Sequence, residues 1–200
     1  EFNKSHYVIF ATKNGTVKKT SLEAYSRPRA NGVIAINIAE GDEVIDVRLT
    51  NGNNELIIAN RNGRAVRFNE NAIRTMGRTA TGVRGMRLDA ENDDVIGMVT
   101  VNDADTETVM VVSEQGYGKR SLVQDYRITN RGGKGVKGMS VNEDDVVDQF
   151  LTMNSHDHLL LFTNLGRVYR IKGYRVPQAS RIGKGIPVIN LLDMDKNEKI

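Results

Sequence analysis

The sequence predicts an all-β protein built as a propeller-like disc of about four blades, each with about four short strands. Runs of β-branched and other apolar residues alternate with glycine-containing turns, and little of the chain has helical periodicity. The turns also recur regularly. Their glycines, spaced 48, 53 and 50 residues apart, are Gly15, Gly63, Gly116 and Gly166. Units of this length are typical of radially repeated sheets, because one small sheet cannot bury both of its faces alone.

Each repeat has the same internal order. The apolar run 7–10 leads into Asn14-Gly15, and Asn-Gly between apolar runs is a strong hairpin signal. A basic, glycine-containing loop then precedes a further strand (residues 33–36 in the first repeat). An acidic turn and a last apolar strand (44–49) complete the repeat. Residues 1–200 are therefore predicted to form a single domain, with units at about 5–52, 53–104, 105–154 and 155–200.

The fourth unit stops at Ile200, where its final strand would begin. Two alternatives remain open. Either that strand is missing, or residues near Phe2 complete the fourth blade and close the ring.

Composition limits the classes of function. The net charge is only +3, with a pI near 9.1, so anion binding would depend on where the charges lie. The absence of cysteine excludes disulfides and thiolate metal sites and fits a reducing compartment. No apolar run approaches the roughly 18 residues of a membrane span, and the N-terminus has no signal-peptide pattern. We therefore expect a soluble, cytoplasmic protein.

Cations recur at two positions of the repeat. One position lies four residues after the hairpin glycine, and the other lies three or four residues before the loop glycine. The first holds Lys19, Arg67, Arg120 and Arg170, the second holds Arg29, Arg78, Arg131 and Arg181, and Lys18, Lys119, Lys134 and Lys184 lie close to them. In a disc these positions would form a belt of charge, which favours contacts to DNA phosphates rather than to bases.

The loop 129–135 has the strongest phosphate-binding character. It places Arg131 and Lys134 beside Gly132, Gly133 and Gly135. Glycine lets the backbone approach a partner closely, so charge and exposed N–H groups could act together on a phosphate oxygen.

Other interpretations are weaker. Cations at strand ends can simply protect sheet edges from aggregation. A protein-binding propeller should expose aromatic residues, yet aromatics make up 6% of this chain and tryptophan is absent. RNA binding is disfavoured because the chain has no interleaved aromatic residues on which single-stranded bases could stack.

No enzymatic, metal or cofactor site is expected. His156 and His158 flank Asp157 without nearby partners and are better explained as a turn leading into Leu159. The acidic stretches lack the spacing of a calcium loop, and no nucleophile motif is present. Tyr117, after a hairpin glycine, is expected to be a strand or rim residue.

Five stretches of the chain are distinctive in combination: residues 10–19, 77–85, 116–120, 154–158 and 162–169. Together they resemble the C-terminal domain of the bacterial DNA gyrase A protein, a β-pinwheel related to that of topoisomerase IV. It implies a non-catalytic domain of an ATP-dependent type II topoisomerase that wraps duplex DNA and supports supercoiling. The implied partners are the catalytic N-terminal domain of gyrase A and the ATPase, gyrase B, in the bacterial cytoplasm near the nucleoid.

The resemblance also assigns residues 129–135 to the gyrase box, which usually reads Gln-Arg-Arg-Gly-Gly-Lys/Arg-Gly. Thr129 replaces the glutamine and Asn130 the first arginine, while 131–135 is intact. A related loop in another blade could be the functional box. The chain departs from the family in two ways: its blade order is rotated relative to the family's, and its four units are fewer than the five or six blades expected.

Overall fold

The computed structural model describes residues 5–89, 91–195 and 197–200, so the predicted contribution of Phe2 lies outside the described residues. The described residues are almost entirely strands, turns and loops. The strands are β1 (Tyr7–Thr12), β2 (Thr16–Ser21), β3 (Val44–Thr50), β4 (Glu55–Asn60), β5 (Arg64–Asn69), β6 (Val83–Arg84), β7 (Val95–Val101), β8 (Glu107–Ser113), β9 (Tyr117–Leu122), β10 (Val136–Lys137), β11 (Val147–Asn154), β12 (His158–Phe162), β13 (Val168–Lys172) and β14 (Ile186–Pro187). Short 3-10 turns span Leu22–Tyr25, Glu70–Ala72, Val123–Asp125, Gly173–Arg175 and Val188–Leu191. The predicted all-β class is confirmed.

The strands form four antiparallel sheets. Three have four strands, in the orders β3-β1-β2-β6, β10-β5-β4-β7 and β11-β8-β9-β14, and the fourth consists of β12-β13 within the described residues. Each sheet is built on one of the predicted hairpins, whose register pairs β1 with β2, β4 with β5, β8 with β9 and β12 with β13.

The fourth strand of each complete sheet comes from the next repeat. Val17 on β2 pairs with Val83 on β6, which lies in the second repeat, and β10 and β14 add to the preceding sheets in the same way. The prediction that one repeat forms one blade is therefore wrong in this detail. A two-residue strand cannot be stable alone, so its hydrogen bonds and packing come from the neighbouring hairpin.

The predicted strand at 33–36 is absent for the same reason. Its counterparts β6, β10 and β14 each pair with the hairpin of the repeat before them. The described residues contain no hairpin before the first repeat, and residues 33–36 remain a loop without strand pairing.

Apolar side chains pack between successive sheets rather than inside one sheet. Ile58 and Met98 of the second sheet belong to the same buried cluster as Ile9 of the first. A second cluster joins the second and third sheets, and a third joins the third and fourth. Alternate residues of a strand point to opposite faces, so the middle hairpins are covered on both sides. Every complete blade thus depends on its neighbours for both its core and its last strand.

Gly135 permits the strand exchange at β10. Its φ is +76°, and a Cβ atom there would lie 2.3 Å from the carbonyl oxygen of Ala65 on the receiving strand. Any other residue would force the exchanged strand away from β5 and would strain the backbone.

We expect Gly135→Ala to lower the free energy of unfolding by about 2 kcal/mol, through left-handed backbone strain and the steric clash. Gly133→Ala is the matched control, because the φ of Gly133 is not positive and the nearest atom to its Cβ would be 3.7 Å away. Denaturant unfolding of both variants checks this. Equal stability of the two variants would contradict it.

Candidate nucleic-acid interface

The first predicted set of cations is mostly buried. Lys19, Arg67 and Arg120 lie on the second strand of their hairpins and are between 4% and 7% exposed, whereas Arg170 is exposed. Each buried member contacts the 3-10 turn of the following repeat or the residue that ends it. Lys19 Nζ is 2.9 Å from a carboxylate oxygen of Glu70, which is itself fully buried.

Arg67 and Arg120 bind the carbonyl groups of such turns. Arg67 donates from Nη1 to the carbonyls of Val123 and Tyr126, at 3.0 Å each, and Arg120 donates from Nε to the carbonyl of Val176 at 3.3 Å. The Val123 carbonyl also accepts from the amide of Tyr126. The carbonyls of Tyr126 and Val176 belong to buried residues and accept from no other described group, so they would otherwise lack a donor. The expectation that this position forms an exposed belt is therefore wrong for three of the four residues.

Two further predicted lysines are fully buried. Lys18 Nζ donates to the carbonyl of Arg78 at 2.6 Å, and Lys119 Nζ donates to the carbonyls of Ser180, at 2.8 Å, and Arg181. Burial, reinforced by the positive charges of Arg78 and Arg181, lowers the pKa of each lysine to about 8. Both lysines fix the backbone of the next repeat and are closed off from solvent.

Three of the predicted loop arginines connect the loops that carry the exchanged strands. We call these the exchange loops: residues 73–82, 126–135 and 176–185. Arg131 donates from Nη1 to the carbonyl of Arg84 at 2.7 Å, and Arg181 donates to the carbonyl of Lys137. Arg78 makes the corresponding bond to the carbonyl of Ile34, at 3.2 Å. Each acceptor, Arg84, Lys137 or Ile34, lies two residues after the loop glycine of the repeat before the donor. These bonds therefore connect the loops of successive repeats into a continuous row.

The predicted box loop is part of this row. The amide of Gly132 donates to the carbonyl of Gly85 at 2.7 Å, and the carbonyl of Gly133 accepts from the amide of Arg87 at 2.9 Å. Arg131 also donates from Nε to the carbonyl of Ala72 at 2.8 Å. Arg131 and the Gly132 amide, both predicted to face a phosphate, are thus engaged in holding the loop.

The other predicted residues remain accessible. Arg29, Gly133, Lys134 and Arg170 are exposed, and Gly132, Gly135 and Lys184 are partly exposed. Lys184 Nζ lies 3.8 Å from the ring centroid of Tyr117, so its ammonium group stacks on an aromatic ring. Lys134 Nζ forms an ion pair with Asp89, at 2.8 Å.

The structure adds three arginines that the sequence comparison of the repeats missed. Arg27, Arg74 and Arg127 come directly after the residue that ends the 3-10 turn in the first three repeats. All three are exposed and make no hydrogen bond or ion pair to any described residue. They lie 11 or 12 residues after the hairpin glycine, a register that could have been read from the sequence. In the fourth repeat the position holds Pro177.

The acidic turns have a structural role. A carboxylate from the turn accepts the backbone amide just before the hairpin glycine: Asp42 binds Asn14 N at 2.9 Å, and Asp145 binds Gln115 N at 3.1 Å. In the second repeat Asp93 is buried, and burial raises the pKa of its carboxyl group. The repeated acids stabilise hairpin ends.

Among the described residues, no group of three or more His, Cys, Asp or Glu side chains could hold a metal ion. His156 lies in a turn with its ring 6.2 Å from that of Tyr174, and His158 begins β12. The described part of the chain also has no helix long and apolar enough to span a bilayer.

The strand-exchanged sheets and their row of basic loops define a β-pinwheel. The chain belongs to the DNA gyrase C-terminal domain family. The sequence model described as the DNA gyrase C-terminal domain, beta-propeller, matches residues 6–51, 54–102, 107–151 and 157–200. The match confirms the predicted family and the prediction that the chain is not the catalytic part of the enzyme.

Individual relatives agree with this assignment. The DNA gyrase A protein of Staphylococcus epidermidis (strain ATCC 12228 / FDA PCI 1200) is 40% identical over 192 residues, which are 96% of this chain and 21% of that protein. The chain therefore spans about a fifth of the length of such a relative.

Two solved structures are similar. The C-terminal domain of DNA topoisomerase IV superposes with a TM-score of 0.85 at 29% identity, over 92% of this chain and 58% of that one. The DNA gyrase A C-terminal domain gives 0.84 at 24% identity, over 99% and 64%, and supports the fold.

The buried lysines make stability depend on pH. Because folding lowers the pKa of Lys119 to about 8 from its ordinary 10.5, the unfolded chain binds more protons between these values. The contribution of this lysine to stability therefore rises as pH increases through that window.

We expect the difference in unfolding free energy between the wild type and Lys119→Met to shift in favour of the wild type from about pH 7.5 to about pH 9.5. Denaturant titrations across this range provide the measurement. Lys137→Met is the control, because Lys137 is exposed. It shows whether loss of any lysine changes the pH dependence of the unfolding free energy in the same way. A difference that does not change with pH would refute the effect.

Proposed function

We propose that this chain binds, bends and wraps duplex DNA without sequence preference, as the C-terminal domain of a DNA gyrase A protein that supports supercoiling by a type II topoisomerase. The observation that carries the proposal is the arginine that follows the 3-10 turn in three successive repeats: Arg27, Arg74 and Arg127. These side chains are exposed, lack a partner among the described residues, and recur at one position in three successive repeats.

Contacts between the loops explain how the separate charges become one surface. Arg131 donates to the carbonyl of Ala72, which lies two residues before Arg74 in the chain, so the box loop contacts the segment that carries Arg74. The amide of Asn37 donates to the carbonyl of Ala80 at 3.2 Å, which joins the first repeat to the exchange loop 73–82 of the second repeat. Positive groups spaced along a row of blades suit the repeating phosphates of DNA, and contacts to phosphates carry no sequence information.

The box loop contributes a direct contact and a support. Lys134 is exposed at the loop tip, and the amides of Gly133 and Lys134 donate to no described residue. An exposed ammonium group beside free amides suits a phosphate oxygen. Arg131 acts as a positioning residue, because its two hydrogen bonds hold the loop against the preceding repeat.

Bending follows from the arrangement of the blades. A duplex that contacted charges on successive blades would have to leave its straight path, at a cost of about 1–6 kcal/mol that added phosphate contacts would offset. In the complete enzyme, the partners would be the catalytic N-terminal domain of gyrase A and the ATPase, gyrase B, in the bacterial cytoplasm at the nucleoid.

A protein-interaction module is the second candidate. Apolar side chains are exposed on the fourth hairpin, where Phe162 is 67% and Leu160 is 53% accessible. Exposed apolar surface of this kind can bind another protein. Exposed apolar residues also occur in other repeats, such as Leu49 on β3 (59% accessible) and Ile128 (58%). They do not recur at one position of the repeat, whereas the unpaired arginines do so in three repeats, and this difference favours DNA.

The double variant Arg74→Ala/Arg127→Ala should bind duplex DNA at least tenfold more weakly at low salt. The slope of log K against log salt should fall by about two, because each lost phosphate contact removes about 0.9 from that slope. Fluorescence anisotropy with two unrelated duplexes over a range of salt concentrations measures both quantities.

The matched control is Lys13→Ala/Arg61→Ala, which removes the same charge. These cations pair with Glu43 and Glu114 at the hairpin ends. We expect the control to change the affinity less than threefold. Equal losses in both double variants would show that only net charge matters.

Charge reversal in the box loop separates contact from support. Lys134→Glu should reduce wrapping with little change in melting temperature, because Lys134 is exposed, whereas Arg131→Glu should reduce both. Ligation of nicked circular DNA with each protein, followed by measurement of linking number, reports wrapping. A wild-type shift in linking number that Lys134→Glu leaves intact would exclude this loop as a contact.

A further inference from the structure

The box loop already holds an anion of its own. One oxygen of the Asp89 carboxylate lies 2.8 Å from Lys134 Nζ, and the other lies 3.3 Å from Arg87 Nε. Arg64, a third cation close enough to act on this carboxyl group, donates to the carbonyl of Gly135 at 3.2 Å. Three positive side chains from two repeats therefore surround one carboxylate.

This arrangement is specific to one loop. Asp89 lies seven residues after its loop glycine, and the same position holds Ala39, Asn142 and Leu192 in the other repeats. One acid of each of the first three acidic turns, Asp42, Asp93 or Asp145, accepts a backbone amide at a hairpin end. Asp89 instead contacts the cations Arg87 and Lys134. Its pKa lies below the usual range, because Lys134 hydrogen-bonds to it, so it carries a full negative charge near neutral pH.

We propose that Asp89 is an internal competitor of DNA: its carboxylate occupies the phosphate site formed by Lys134 and Arg87, and a DNA phosphate must displace it to bind there. The inference rests on the proposed DNA-binding function. A carboxylate and a phosphate oxygen are both anionic acceptors for the same donors.

Displacement is feasible because the site is open. The side chains of Asp89, Arg87 and Lys134 are 41%, 59% and 52% exposed, so solvent screens their pairing and little free energy holds it closed. A displaced Asp89 would still repel a nearby phosphate. The residue thus lowers DNA affinity at this loop while keeping Lys134 oriented toward the blade when DNA is absent.

The test compares Asp89→Asn with Glu143→Gln, which removes one negative charge from an exposed acid with no described partner in the next acidic turn. Affinity for a fluorescent duplex at low salt is measured by anisotropy. We expect Asp89→Asn to bind about three- to tenfold more tightly than the wild type, and Glu143→Gln less than twofold. The salt slope of Asp89→Asn should be steeper by about one.

A double-mutant cycle locates the effect. In the Lys134→Ala background, Asp89→Asn should gain less than twofold, because the main cation it competes for is gone. If Asp89→Asn gains no more DNA affinity than Glu143→Gln, or if its gain persists in the Lys134→Ala background, the proposed competition is wrong. Absence of duplex binding by the wild type would instead overturn the proposed function itself.

Discussion

The exchange of one short strand between neighbouring repeats is the constraint on which the rest of the structure depends. β6, β10 and β14 have two residues each and complete sheets that belong to the repeat before them. Each exchange brings an exchange loop across the boundary between two blades. The cations of the protein gather along these boundaries, where they meet carbonyl groups of the adjoining repeat.

Cations in this chain therefore serve two purposes that composition cannot distinguish. One set binds buried polar groups of the 3-10 turn in the next blade, which water would otherwise solvate: Lys19, Arg67 and Arg120. Lys18 and Lys119 bind the backbone carbonyls of exchange loops in the same way. A buried cation without such acceptors would be costly, so each is bound to carboxylates, carbonyls or hydroxyls. The buried charge that holds the blades together lies on the second strand of the first three hairpins, whereas the exposed charge proposed to contact DNA lies mainly on the loops.

The sequence was informative where its signals are local. Hairpin turns such as Asn62-Gly63, the all-β class and the family could be predicted, because periodicity and turn chemistry act over a few residues. The exchange could not be predicted, since Val83 looks like a strand whichever sheet receives it. The burial of Arg67 was also hidden, because its acceptors, Val123 and Tyr126, lie more than 50 residues away. Aligning the repeats on their 3-10 turns would have revealed Arg74 and Arg127.

Strand exchange also has a consequence for synthesis on the ribosome. A hairpin such as β4-β5 emerges well before β10, which its sheet needs, so each blade must wait for about 70 further residues before it can close. Until then β5 presents an open edge that another chain could pair with. Completion passes along the chain from the N-terminal blade onward, and each nascent blade is protected only when the next repeat has been made.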